Sequence, residues 1–231
     1  KTTKGLHRVT WDMTFAASTA LAGKKRSQYH PLANGIMAAP GKYTATLFKR
    51  VGSQVTQLAE PVELELKPIY KRALEGASYQ EVVKFSKDIA EADRRSSAAT
   101  AVLGTISKTM ESLRTAIDRT PSNINKIEAT YANIQAEINA INLELSGLKS
   151  RDRKGAKPAN IYSRIGFAMS AVGSSYGPTQ QHREQFKYAI EGLDAVTKRI
   201  NTLQQTSIPA LQKAVLDSGG PWTMGAPVIT K

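Results

Sequence analysis

The spacing of hydrophobic side chains changes near Pro68. Before this residue, apolar and polar side chains alternate along two short segments, "GKYTATLFKRV" (41–51) and "PVELELK" (61–67). Alternation with a period of two residues is typical of a strand that buries one face. A third segment, "LHRVTWDMTF" (6–15), is rich in β-branched and aromatic residues and is also predicted to be a strand. Residues 1–68 are therefore predicted to form an antiparallel β module.

From Ser78 onward, apolar or small side chains recur at alternating steps of three and four residues as far as Ile117. This spacing places them in one row along a single helix face, as in heptad-repeat helices. The row consists of Val82, Phe85, Ile89, Ala92, Ser96, Ala99, Leu103, Ile106, Met110, Leu113 and Ile117. The pattern predicts one helix about 60 Å long, since an α-helix rises about 1.5 Å per residue.

Three more apolar rows follow, separated by segments that contain proline. The second row is Ile124, Ile127, Tyr131, Ile134, Ile138, Ile141, Leu145 and Leu148. The third row is Ile161, Ile165, Ala168 and Val172, and the fourth is Phe186, Ile190, Leu193, Val196, Ile200 and Leu203. Pro209 is predicted to kink or restart the last helix, because proline lacks the backbone N–H that the helix needs.

Isolated helices are marginal in water, so these apolar rows must pack on one another. Helices joined by short turns lie antiparallel to their neighbours. We therefore predict an antiparallel four-helix bundle with one short member over residues 69–218, followed by an extended tail over residues 219–231.

The chain is strongly basic, with a formal net charge of +13. Residues 1–76 contain 12 basic and 5 acidic side chains and residues 77–231 contain 20 and 14, so the excess is spread over both halves. The densest cluster, "KSRDRKGAK" (149–157), lies between predicted helices and is interpreted as a solvated loop, with contact to a phosphate or an acidic polymer as the alternative. Nucleic-acid binding is not expected, because no recognition-helix or base-stacking pattern accompanies the charge. No membrane span is predicted, since no apolar run approaches about 20 residues.

The sequence offers no set of residues for a reaction. "GSSYG" (173–177) matches the G-x-S-x-G pattern, but that turn exposes its serine only between a strand and a helix, and here a helix is predicted before it. The three histidines are not at metal-ligand spacing. Glu63 and Glu65 lie on one face of a predicted strand. Acid–base catalysis would also require a second carboxyl group whose pKa is shifted by an apolar environment, and the sequence offers no such partner. With no cysteine in the chain, we expect no catalytic residue, no metal site and no cofactor, and the chain is not predicted to be an enzyme.

Aromatic side chains in the β module suggest one binding role. Trp11 and Tyr43, together with Tyr29, Phe48 and the distant Trp222, could stack on a sugar ring. The alternative is that they pack within the sheet or at its edge. Trp11 and Tyr43 are therefore retained as candidate ligand-stacking residues.

The β segment resembles a known type of module. "KGLHRVTWDMTF", followed by "LANGIMAAPGKYTATLF", is similar to the immunoglobulin-like module that follows the β-propeller in bacterial BNR-repeat, sortilin-like, so-called glycosyl hydrolase proteins. The matching positions are Gly5, Trp11, Asp12, Pro40, Gly41, Tyr43 and Leu47. The helical stretches "YGPTQQ" and "IPALQKAV" are similar to the C-terminal extension of that family. The resemblance implies an α+β chain: a partial Ig-like antiparallel β-sandwich lacking its first strands, then the four-helix bundle.

The resemblance also implies a function. It suggests a non-catalytic C-terminal accessory region of a larger exported protein, secreted, periplasmic or on the cell surface, that mediates domain packing or assembly. The implied partners are the upstream propeller of the parent chain and a second copy bound through the helices. The alternative function is a carbohydrate- or surface-binding module whose partner is a glycan. Any hydrolase activity would belong to the propeller, because no matched position is catalytic.

Overall fold

The computed structural model describes residues 5–16, 30, 32, 35–69, 75–122, 124–147, 159–174 and 176–226. The fold is mixed α+β, as predicted, with short antiparallel strand pairs followed by helices. The strands are β1 (Thr14–Phe15), β2 (Ile36–Met37), β3 (Gly41–Ala45), β4 (Phe48–Val51), β5 (Gln54–Gln57) and β6 (Val62–Leu66). The helices are α1 (Tyr79–Ile117), α2 (Ile124–Ser146), α3 (Ile161–Met169), α4 (Gln180–Thr202) and α5 (Ile208–Asp217).

Helix α1 forms as its apolar row predicts. At its start, the Ser78 hydroxyl accepts a hydrogen bond from the Glu81 N–H (3.2 Å), and the Glu81 carboxylate accepts one from the Ser78 N–H (2.8 Å). This reciprocal pair satisfies two backbone donors that a helix start leaves without partners. Ten of the eleven residues in the predicted row are buried and the eleventh, Val82, is half-buried. Helix α1 is therefore the central element against which the other helices pack.

Helices α2 and α3 lie end to end beside α1. Arg114 near the end of α1 pairs with Glu128 near the start of α2. Tyr162 at the start of α3 donates a hydrogen bond to the carbonyl of Ser96, nearer the start of α1 (3.1 Å). At the junction, a side chain added at Gly147 would come within 2.8 Å of the Asn160 amide. The two helices thus form one interrupted column that runs antiparallel to α1.

Helices α4 and α5 form a third column, parallel to α1. The Ala77 N–H just before α1 donates to the carbonyl of Tyr176 just before α4 (2.9 Å). Arg95 then pairs with Asp194 at mid-length, and Gly220 contacts Thr120 at the far end. The described residues therefore build a rod three helices in cross-section, which differs from the predicted four-helix arrangement. The reason is length: α2 has 23 residues against 39 in α1, so α3 covers the part of α1 that α2 leaves bare.

A π-helical turn, Leu203–Ser207, joins α4 to α5. The steps of three and four run through Ile200 and Leu203, but the next buried apolar residue is Ile208, five positions on. Pro209 lacks an N–H and cannot bond to the carbonyl four residues back, and the wider turn accommodates both the extra residue and the missing donor. The prediction that the helix restarts near Pro209 is confirmed.

The segment after α5 contains no helix or strand as far as residue 226. It folds back on itself through the Trp222 indole, whose N–H donates to the Ala226 carbonyl (3.2 Å). The rest of the predicted tail, residues 227–231, lies outside the described residues, and so does Leu148 at the end of the second apolar row.

Arg199 on α4 holds its column to α2. Its Nε donates to Glu137 (2.6 Å) and its Nη1 to Glu144 (2.5 Å). The hydrogen bond from Arg199 lowers the pKa of Glu137 below its usual value. Because the folded-state pKa lies below the unfolded one, this bond adds stability above a pH of about 4.5, and the contribution is lost as the pH falls through the lowered value.

Replacing Arg199 with methionine should therefore destabilise the rod in a pH-dependent way. We expect a loss of about 1 kcal/mol at neutral pH, because a partly exposed charged pair is worth about that much. The loss should shrink as the pH falls well below 4.5, since Glu137 then takes up a proton in both the folded and the unfolded state. Urea unfolding at neutral and acidic pH measures this loss of stability. Lys198→Met, a substitution at an exposed neighbouring residue, is the control. An equal loss at both pH values would contradict this role of the carboxylates.

The β half departs from the prediction in three ways. The segment 6–15 is a strand only at Thr14–Phe15. Before it the chain bends: the Asp12 carboxylate accepts hydrogen bonds from the Thr14 N–H (3.1 Å) and hydroxyl (2.6 Å), and Met13 has φ +59°. The segment 41–51 is divided between β3 and β4. The described strands form three two-stranded antiparallel pairs, β1–β2, β3–β6 and β4–β5, and not the two layers of the predicted Ig-like sandwich.

The β half is fixed to the first third of α1 by residues that the pattern did not identify. Leu32 and Ile36 are buried and belong to the same hydrophobic core as the helices. The Lys87 amine lies 4.0 Å from the centre of the Phe15 ring, and His30 Nε2 lies 3.9 Å from the Asp93 carboxylate. These contacts place the strands at one end of the rod.

Candidate interaction surface on the β-hairpin

Strands β3, β4, β5 and β6 make one long hairpin over residues 41–66. At its tip Val51 pairs with Gln54 across a two-residue turn. Gly52, the first turn residue, has φ +61°, which fits the type II′ turn that matches the twist of the two strands. Toward the base, the Leu58 N–H donates to the Leu47 carbonyl (2.9 Å), and the ladder resumes in β3–β6.

The register of β3–β6 sorts the side chains onto two different faces. Tyr43 lies opposite Leu64, and Ala45 opposite Val62. The apolar face, as named here, is Tyr43, Ala45, Val62, Leu64 and Leu66. The polar face is Lys42, Thr44, Glu63 and Glu65, with Lys42 opposite Glu65 and Thr44 opposite Glu63. The β3–β6 ladder thus has one side suited to water and one suited to burial. In the β4–β5 ladder the two kinds of side chain are mixed, since Phe48 lies opposite Gln57 and Arg50 opposite Val55.

Much of the hairpin's apolar surface is nevertheless in contact with solvent. Val62, Leu47 and Leu58 are 65%, 61% and 55% exposed. In the described residues, twelve of the exposed large hydrophobic side chains lie in residues 5–69 and seven in the much longer stretch 75–226. Large clustered apolar exposure marks an interaction site, whereas single exposed residues are ordinary.

Trp11 and Tyr43, the predicted ligand-stacking residues, lie together at the base of the apolar face. Their ring centres are 5.3 Å apart and the ring planes are inclined at 58°. The Trp11 indole N–H donates to the Thr14 carbonyl (2.9 Å), and the Tyr43 hydroxyl donates to the Ala39 carbonyl (2.7 Å). The tilt means that the two rings do not form one flat platform, and their sugar-stacking role stays a prediction.

The other residues considered for chemistry lie apart from one another. His30 faces Asp93, whereas His182 lies in the first turn of α4, where its Nδ1 accepts from the Thr179 N–H (3.1 Å). The described residues contain no group of three or more side chains that could hold a metal ion. In "GSSYG" the central Ser175 lies outside the described residues, as does the basic segment 149–157.

A cavity of about 330 Å³ lies where the β half meets α1. Its lining is Ala39, Gln80, Val83, Lys84, Lys87 and Asp88. It is an open groove beside the contacts that fix the β half to α1.

The charge of the rod changes the interpretation of the basic composition. The described residues from 75 to 226 contain 14 basic and 14 acidic side chains. The positive excess therefore lies outside them, mostly in the first 74 residues and in the segment 148–158, and it is not spread along the helices. A polyanion would find no broad basic surface on the described helices.

Comparisons of the chain with known protein families, with curated proteins and with solved structures gave no match. None of the described helices combines the length and the apolar character that crossing a membrane requires. The resemblance to the propeller-associated Ig-like module therefore stays a prediction.

Proposed function

We propose that this chain is a non-catalytic assembly module in which a rigid helical rod carries an exposed β-hairpin that docks on another protein surface. The observation that carries the proposal is the contrast between the two halves. The apolar rows of the helices are used within the chain, as Ile141, Leu193 and Val215 illustrate with 0% exposure. The hairpin, by contrast, leaves apolar side chains such as Leu47, Leu58 and Val62 exposed to solvent.

This contrast favours one partner surface over another. A second copy bound through the helices would need an apolar helix stripe left over. In the described residues the predicted rows are used for intrachain packing, with Ile124 (42% exposed) as the exception. The surface that supports association is the hairpin. Buried apolar area contributes roughly 25 cal/mol per Å², so covering these side chains would stabilise a complex.

Within that role, we propose that the chain is an accessory region of a larger exported protein with a propeller, secreted, periplasmic or on the cell surface. Support comes from the residues that carry the resemblance. Trp11 packs on Tyr43, and Asp12 closes the turn that leads into β1. Trp11, Asp12 and Tyr43, three of the positions that carry the resemblance, thus have structural roles at the base of the hairpin.

The docking role is tested by making the hairpin polar while keeping its strand propensity. In the full chain, Leu47→Thr, Leu58→Thr and Val62→Thr together should leave the helical circular dichroism signal and the Tm nearly unchanged, because these side chains contact mostly water. The same protein should bind less of a dye that fluoresces on apolar surfaces. Leu113→Thr, with 0% exposure at the wild-type leucine, is the matched control and should lower the Tm strongly. A large fall in Tm for the triple variant would show that the hairpin side chains belong to the core, and would overturn the proposal.

A further inference from the structure

Strand β6 offers an open edge. It pairs with β3 on one side, and no strand of the described residues pairs on its other side. An open edge presents backbone donors and acceptors that can take up another strand. Along β6, Glu63 and Glu65 lie on the polar face, while Val62, Leu64 and Leu66 lie on the apolar face.

The charges of β6 disfavour pairing with itself. In an antiparallel pair centred on Leu64, Glu63 of each copy would lie opposite Glu65 of the other. Like charges directly opposite each other destabilise a strand pair. Glu65 pairs with Lys67 in the same chain (3.0 Å), but Glu63 and Glu65 together still favour an incoming strand that brings a basic side chain to the polar face.

Such a segment is present at residues 6–10, Leu-His-Arg-Val-Thr. These residues belong to no helix or strand, and Leu6 and Val9 are 103% and 92% exposed. The segment contains Arg8, and the first acidic residue of the chain is Asp12. Val9 and Thr10 are β-branched and favour a strand.

One antiparallel register matches this segment to β6. With Arg8 opposite Glu65, Val9 lies opposite Leu64 and Thr10 opposite Glu63. Opposite residues share a face, so the arginine meets a glutamate on the polar face and the valine meets a leucine on the apolar face. A slip of one residue would reverse both matches, whereas a slip of two would place Arg8 opposite Glu63 and Val9 opposite Val62. The pattern therefore fixes which face of the segment meets which face of β6.

We propose that residues 6–10 of one copy of this chain add as a strand to β6 of a second copy. The inference rests on the proposed docking role of the hairpin and names its occupant. Among the described residues of one molecule the segment joins no strand ladder, and Trp11 next to it is held against Tyr43 of β3. The polar-face match between Arg8 and Glu65 is the feature that identifies a second copy as the partner.

The experiment exchanges the two charges between copies. The wild-type chain should show concentration-dependent self-association in analytical ultracentrifugation. Arg8→Glu alone and Glu65→Arg alone should each weaken the self-association constant about tenfold, because each places like charges opposite each other. An equimolar mixture of the two variants should associate like the wild type, since the new acidic side chain at position 8 then faces the new basic side chain at position 65.

The mixture separates pairing between copies from pairing within one chain, because mixing cannot repair an intrachain mismatch. Lys108→Glu, an exposed charge reversal on α1, is the control and should associate like the wild type. A wild type that is monomeric at every concentration, or a mixture no better than its components, would overturn the inference. If the triple threonine variant keeps its Tm, either result would still agree with the proposed docking role. The hairpin would then be assigned to a different partner.

Discussion

Replacing Ile134 with aspartate is expected to unfold most of the helical rod at moderate temperature. Ile134 is 5% exposed in the apolar row of α2. A carboxylate there would be buried without a partner and would lower the free energy of unfolding by about 4 kcal/mol. Domains are stable by about 5 to 15 kcal/mol in total, so this is a large share. Thermal unfolding followed by circular dichroism measures the effect.

An exposed alanine in the same helical turn supplies the control. Ala132→Asp introduces the same side chain two positions away, where the helix faces water. It should lower the free energy of unfolding by only about 0.5 kcal/mol, the difference in helix propensity. Equal losses for the two variants would mean that α2 does not pack through the predicted row.

Deleting one residue from the π-helical turn is expected to be tolerated, whereas deleting one from α2 is not. Removing Gln205 together with Pro209→Ala changes the step from Leu203 to Ile208 from five residues to four. That step restores the three-and-four spacing, and a continuous α-helix can then follow. We expect a Tm equal to or above that of the wild type.

Removing Gln135 from α2 should have the opposite effect. Each residue of an α-helix turns by about 100°, so the deletion rotates every later side chain out of the apolar row. Ile138 and Ile141, now 1% and 0% exposed, would each lose about 1.5 to 3 kcal/mol of burial. A comparison of the two deletions by thermal unfolding tests the reason given for the π-turn. If both deletions were equally harmful, the extra residue would not be what the turn accommodates.

The helices were predictable because their signal is local and redundant. Eleven positions in α1 repeat one spacing, so no single residue decides the prediction. The apolar rows do not show which helices pack against each other. The end-to-end order of α2 and α3 brings Gly147 beside Asn160, two residues that carry no hydrophobic signal.

The β half was harder to predict, because strands depend on partners distant in sequence. The alternation in residues 61–67 indicated β6. The residues before Thr14 have the composition of a strand, but none of the described residues pairs with them as a neighbouring strand. Strand β5, Gln-Val-Thr-Gln, is too polar to show the alternation that predicts a strand. Gly52 in the preceding turn is nevertheless typical of a hairpin.

The candidate surface was predictable only in part. Alternation separates Glu63 and Glu65 from the leucines, and so defines the two faces of β6. It does not show which face is left uncovered. The residues that fix the β half to the rod also escaped notice, because Leu32 lies in a turn-rich segment and Lys87 and Asp93 are charged residues outside the apolar row of α1.

The parallel course of α1 and the α4–α5 column determines how the module would bear a pulling force. The hairpin lies at the start of α1, and residues 219–226 turn back on α5 at the opposite end, where Gln212 donates to the Met224 carbonyl (3.1 Å). Tension between those ends would run along the helix axes for about 60 Å. The helices would then slide past one another in shear, with many side-chain contacts resisting at once, and would not separate one turn at a time.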